Sequence, residues 1–159
     1  MRSKFEEARD EPLFRTVDRD DPRMLDAYRL AADSISRFQR LVAASSAAVK
    51  CAKLRFRDPD ESVRRGEDQF FFLWLSDVHF HEHERIFSGM FFEIPPGFDK
   101  WHQLGERLGF EPEDVFDWMV VDRGQLAGGF TLRVTRESLP AAERAAYDRY
   151  IGVETYETL

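Results

Sequence analysis

The tightest constraint on what this chain can fold into lies in the stretch VFDWMVVDRGQLAGGF, residues 115–130. A run of large apolar residues stops at Asp122, Arg123-Gly124 follows, and a shorter apolar segment leads into Gly128-Gly129. Two strands flanking a two-residue loop that ends in glycine predict a β-hairpin, with Met119 opposite Gly128 and Trp118 opposite Gly129. The glycines leave room beside the bulky pair and mark a place where the sheet curls. Asp117 alternates with Val115, Met119 and Val121, so its carboxylate is directed at an apolar face, where it needs partners. It fits two roles: acceptor of backbone N–H groups from a neighbouring loop, or proton-transfer group of raised pKa.

The rest of the chain reads as one domain around that hairpin. Residues 1–21 mix both signs of charge without periodicity and form an arm. Asp21 is placed to cap a helix and Pro22 to open it, after which Met24, Ala27, Tyr28, Ala31, Ile35, Phe38 and Val42 recur at three- and four-residue spacing. This predicts one helix over about 22–43 with a single apolar face. The period then changes to two. AAVKCAKLRFRD, QFFFLWLSDVHF and RIFSGMFFEI read as strands, the last ending at Pro95-Pro96-Gly97. Residues 97–114 read as a long connection with a short strand near Leu108–Phe110. SLPAAERAAYDRYI reads as a closing helix capped by Ser138, with Pro140 in its first turn, and 153–159 as a tail.

These residues also carry a resemblance. Asp117-Trp118-Met119, the short turn, and Gly128-Gly129-Phe130-Thr131 resemble the pattern of the YegJ-like family, a bacterial domain of unknown function. Met24, Ala27, Phe38, Trp74, Gly89 and Pro95 match it further, over roughly residues 21–135. The resemblance implies no activity and no catalytic residues. The arm and the histidine-rich turn at 79–83 stand outside the pattern.

The chain of 159 residues, 43% hydrophobic, is long enough to bury a core without a metal or disulfide staple. Its single cysteine, Cys51, permits no internal disulfide, and no apolar run is long enough to span a bilayer; a soluble, cytoplasmic protein is expected. A net charge of -7 disfavours indiscriminate binding to nucleic acid or anionic membrane.

Candidate chemistry is sparse. His79, His81 and His83, at alternate positions, have the spacing of metal ligands on one side of a strand, but they fall where two strands must reverse, and a solvated turn explains them. Cys51, inside a strand, reads as a small buried apolar residue. Asp114, Asp117 and Asp122 crowd one hairpin in the manner of capping and solvating groups. Lys53, Arg55 and Arg57 form a basic stripe, with Arg64 and Arg65 in the next loop; aromatic interleaving is only weakly present. Phe98, Trp101 and His102 lie in the Pro/Gly-flanked connection, either plugging the core or lining a groove.

The expected fold is α+β: a strongly bent antiparallel sheet of about five strands, in SH3-like barrel form, with an N-terminal and a C-terminal helix. Asp117, Trp118, Gly128 and Gly129 are its structural motif. Nothing assembles a nucleophile, base and oxyanion donor, so a non-catalytic binding module is expected, with Phe98, Trp101 and His102 as binding residues, no cofactor, no metal, and a protein or peptide rather than nucleic acid or membrane as partner. The alternatives are a metal-dependent or hydrolytic enzyme using the His-rich turn or Asp117, and an RNA-binding small barrel.

Overall fold

The computed structural model describes residues 21–44 and 47–159; the arm expected over 1–21 lies, apart from Asp21, outside them. Asp21 caps the first helix, α1 (Pro22–Asp33), its side chain accepting from the Arg23 N–H at 2.8 Å. The expected single helix is instead two. The break falls at Ser34, whose backbone leaves the helical region at φ -106° and ψ 12° while its hydroxyl joins its N–H on the Leu30 carbonyl, at 2.6 Å, and α2 (Ile35–Ala44) restarts beyond it. The break is used: the Trp118 indole N–H donates to the Ser34 hydroxyl at 3.0 Å.

Among the described residues the strands are β1 (Val49–Arg57), β2 (Phe70–His81), β3 (Ile86–Phe91), β4 (Arg107–Phe110), β5 (Val115–Asp122), β6 (Gln125–Gly128) and β7 (Thr155–Tyr156). They form one seven-stranded sheet in the order β4-β3-β2-β1-β5-β6-β7, antiparallel except for the parallel β6–β7 pair. The expected sheet of about five strands in SH3-like barrel form is therefore corrected: among the described residues the sheet has seven strands and is open, with β4 and β7 at opposite edges. The tail after residue 152 adds the seventh strand through backbone and side-chain anchors. Arg133 donates to the Glu157 carbonyl, and Tyr156 donates to Asp148.

Asp58 and Pro59 do not simply end β1. Asp58 caps a short helix, α3 (Pro59–Arg65), so Arg64 and Arg65 lie on a helix rather than in a loop and pair with Glu61. The hairpin after β5 has the predicted register, Met119 opposite Gly128, and both loop residues, Arg123 and Gly124, have positive φ, as a type I′ turn requires. Beyond it the expected strand stops early. Gly128 and Gly129 both take positive φ, and helix α4 (Phe130–Ser138) begins at once. A Cβ on Gly128 would overlap the Trp118 carbonyl oxygen and ring, so only glycine lets the chain turn here. Ser138 belongs to the end of α4, where its hydroxyl bonds the Val134 carbonyl, and the last helix, α5 (Ala141–Ile151), opens at Pro140 without a side-chain cap.

Two apolar clusters result. The larger joins α1 and α2 to the sheet through Met24, Ala27, Phe38, Leu54, Leu73, Phe87, Phe91 and Trp118, with Phe38 stacked between Trp118 and Phe87 at 5.2 Å from each. The smaller joins α4 and α5 to the sheet through Cys51, Trp74, Met119, Leu126, Leu132, Tyr147 and Ile151. Among the described residues no helix is long and apolar enough to cross a membrane.

Candidate functional site: an open end of the sheet

Leu54 and Phe56 enter the larger core, so by strand alternation Lys53, Arg55 and Arg57 point to the other face. On that face the first residue of the series, Cys51, is buried in the smaller core, whereas Arg55 and Arg57 are exposed. Pairing with β2 places Arg55 opposite Phe72 and Arg57 opposite Phe70. The Arg55 guanidinium lies over the rings of Phe70, at 4.3 Å, and Phe116, at 5.3 Å. The Lys53 ammonium lies 5.1 Å from the Phe72 ring centre and 5.8 Å from that of Tyr28. Tyr28 stacks on Phe72 at 5.7 Å, and both meet Phe116 edge-on. Cations and rings thus alternate across three strands and α1, with Phe70, Phe72, Phe116 and Tyr28 half-buried.

The inner limit of this array is Asp117, which is fully buried and opposite Lys53. One carboxylate oxygen accepts from the Trp118 and Phe130 N–H groups, at 2.8 and 3.2 Å. The other accepts from the Thr131 N–H at 2.8 Å and the Thr131 hydroxyl at 2.5 Å. It therefore sits at the start of α4, where backbone donors and helix dipole favour a negative charge. Burial pushes its carboxyl above the ordinary value, while the Thr131 hydroxyl, Lys53 and the two backbone bonds pull it back. Lys53 keeps some exposed surface, yet its ammonium is turned inward, 3.4 Å from the Thr131 hydroxyl oxygen, and burial pulls its pKa down to about 8 against the attraction of Asp117. The arrangement is a charge pair bridged by a hydroxyl.

The loop residues divide. Phe98 is buried and plugs the larger core against Phe71, at 4.7 Å, and Phe56, at 5.5 Å. His102 stacks on Phe91 at 4.7 Å and bonds Glu106 at 2.5 Å. Trp101 alone of the three stands at the surface, 43% exposed, 5.6 Å from the Lys100 ammonium. Two short bonds from the same segment, Gly105 N–H to the Phe91 carbonyl and Lys100 to Asp60, tie the loop to β3 and α3.

His79 and His81 lie in β2, and His83 in the turn after it. His81 bonds the buried Ser88 hydroxyl at 2.7 Å, Arg107 bonds the same hydroxyl at 2.9 Å, and Arg107 also holds Asp77, which lies 3.3 Å from His79. The three histidines are thus not brought to a common point, and among the described residues no group of three or more His, Cys, Asp or Glu is placed to hold a metal ion. Cys51 is buried, and its thiol is pushed up to about 12 by burial, which holds it in the unreactive protonated form. Asp114 caps the turn before β5, bonding the Glu111 N–H at 2.9 Å.

Sequence reasoning missed the aromatic half of the open end. Phe70 and Phe72 were visible as alternate residues of one strand, and Arg55 and Arg57 as alternate residues of another. Their register, however, is set by a connection that contains α3, and Phe116 and Tyr28 arrive from elements far away in the chain. The chain belongs to the family described as an uncharacterized protein conserved in bacteria (DUF2314), which matches residues 21–155. Comparison with curated proteins and with solved structures finds no match.

Proposed function

We propose that this family member, in its finer placement a YegJ-like protein of the bacterial cytoplasm, is a non-catalytic binding module that uses the open end of its sheet. The observation that supports this is the cation–ring array of Arg55, Lys53, Phe70, Phe72, Phe116 and Tyr28. Half-exposed aromatic rings and arginine are the residues that anchor protein contacts, because they bring large area at small cost in conformational freedom. Here they are already held in place by one another, so little ordering remains for a partner to impose. Asp117 supports the scaffold reading over proton transfer: four donors saturate it, and solvent does not reach it. Trp101 is a second contact in this proposal, projecting from a loop that Phe98 and His102 pin to the core.

Co-purification from the native host tests the reading. A partner retained by the unaltered protein and lost with Arg55→Glu or Phe72→Ala, while thermal unfolding stays within a few degrees, is the expected result. Partners whose capture is indifferent to both changes and to Trp101→Ala would remove the open end and the loop from consideration.

A further inference from the structure

Resting on the binding-module reading, we infer that the open end takes a protein segment that presents a side-chain carboxylate beside an aromatic or aliphatic residue, with Arg55 receiving the carboxylate and Phe70, Phe72 and Phe116 receiving the apolar neighbour. The cations of the stripe differ in how free they are to meet an anion. Arg57 is paired with Asp68 at 2.9 Å, and Lys53 is turned inward to Thr131 and Asp117. Among the described residues, no side-chain hydrogen bond or ion pair engages the Arg55 guanidinium, which is seated over two rings at an exposed position. A guanidinium held over aromatic rings keeps its in-plane N–H fork, which matches a carboxylate in two parallel bonds.

One open fork also decides against a phosphate backbone. Single-stranded nucleic acid gains affinity by neutralising a row of phosphates, each worth a salt slope of only about -0.7, and one contact leaves almost nothing to set against a chain of net charge -7. A single carboxylate meets the same general repulsion only once and regains it in a charge-assisted pair with apolar area beside it. The half-buried rings supply that area on both sides of Arg55, since Phe70 and Phe72 come from β2 and Phe116 from β5.

The test is a titration followed by NMR of the arginine side-chain Nε and aromatic ring signals. The probes are an N-acetylated, C-amidated heptapeptide with a Phe-Asp-Phe centre, its Phe-Asn-Phe counterpart, and a ten-nucleotide oligouridylate. The expected result is movement of the Arg55 Nε and the Phe70, Phe72 and Phe116 ring signals by the Asp peptide, with a Kd on the order of 10⁻⁴ to 10⁻³ M. The Asn peptide should bind at least tenfold more weakly, and Arg55→Gln should abolish the response to the Asp peptide while its thermal unfolding is unchanged. Equal response to Asp and Asn peptides overturns the carboxylate assignment. Silence with the peptide and movement with the oligouridylate overturns the partner class, and silence with all three overturns the inference. Should any of these occur while Arg55→Glu still abolishes capture of the native partner, the acidic segment fails and the binding-module reading stands.

Discussion

At Cys51 and at Arg55 the same strand turns to the same side of the sheet, four residues apart, in two different environments. Around Cys51, the residues Trp74, Met119 and Val121 are enclosed by Leu132, Tyr147 and Ile151 from the C-terminal helices and by Leu139 from the link between them, and nothing polar is tolerated without a partner. Around Arg55 the strand is exposed instead, and cations lie over rings at the edge of solvent, with Tyr28 of α1 at the border of the array. Asp117 and Lys53 stand at the boundary, where the Thr131 hydroxyl joins them. The difference teaches that strand sequence does not divide this face into a covered and an exposed part; the cover that α4 and α5 provide does.

The sharpest way to break the comparison is at the covered end of the hairpin. Trp118 is fully buried, stacked on Phe38 and edge-on to Phe130. Trp118→Ala is expected to lower the unfolding free energy by about 3–5 kcal/mol in urea denaturation, and a loss below about 1 kcal/mol would mean that the curl does not depend on this ring. Next in size is Asp117→Asn, which puts an amide where four donors converge; about 1–3 kcal/mol should be lost. A neutral result would return Asp117 to the chemical candidates.

Lys53 sharpens the boundary through pH. The folded protein gives up this proton near pH 8, whereas the unfolded chain holds it up to the ordinary value of 10.5. Between those values the unfolded state binds more protons, so the lysine's contribution to stability rises with pH. The stability advantage of Lys53→Met over the unaltered protein should therefore shrink from pH 8 to pH 10 in parallel urea titrations. An advantage independent of pH would place the ammonium in solvent.

Smaller effects are expected where the surface is open. Changing His79, His81 and His83 together to Ser should alter stability by less than about 1 kcal/mol, with any loss reproduced by His81→Ser alone through its bond to Ser88. Trp101→Ala should cost less than about 0.5 kcal/mol in the same measurement, since its ring is 43% exposed and Phe98 does the plugging. If Trp101→Ala unfolds the protein as Trp118→Ala does, the loop is part of the core and its proposed contact role is lost.

Much of the scaffold was legible in local chemistry. Asp21-Pro22 marked a helix start, Arg123-Gly124 set the hairpin register, and the alternation around Asp117 located a carboxylate that had to find donors. Less was legible where one residue serves two elements. Ser34 is an unremarkable helix residue until the Trp118 indole needs an acceptor, and Phe130-Thr131 reads as a strand until Asp117 collects its N–H groups into a helix start. The same holds for the candidate site. Its basic side was evident in VKCAKLRFR and its aromatic side in FFFLW, but not that they interleave.

The sequence by itself determined the mixed α and β class, the hairpin and its turn, the burial of Cys51 and Trp118, and the need of Asp117 for partners, because each follows from patterns within a few residues. Only the tertiary structure decided that the sheet has seven strands and stays open, that the last residues return to pair beside β6, and that Arg55 sits among Phe70, Phe72 and Phe116. Those are contacts between segments tens of residues apart, whose register is set by long connections and by how far the helices reach over the sheet, and neither quantity is written in any local stretch of the chain.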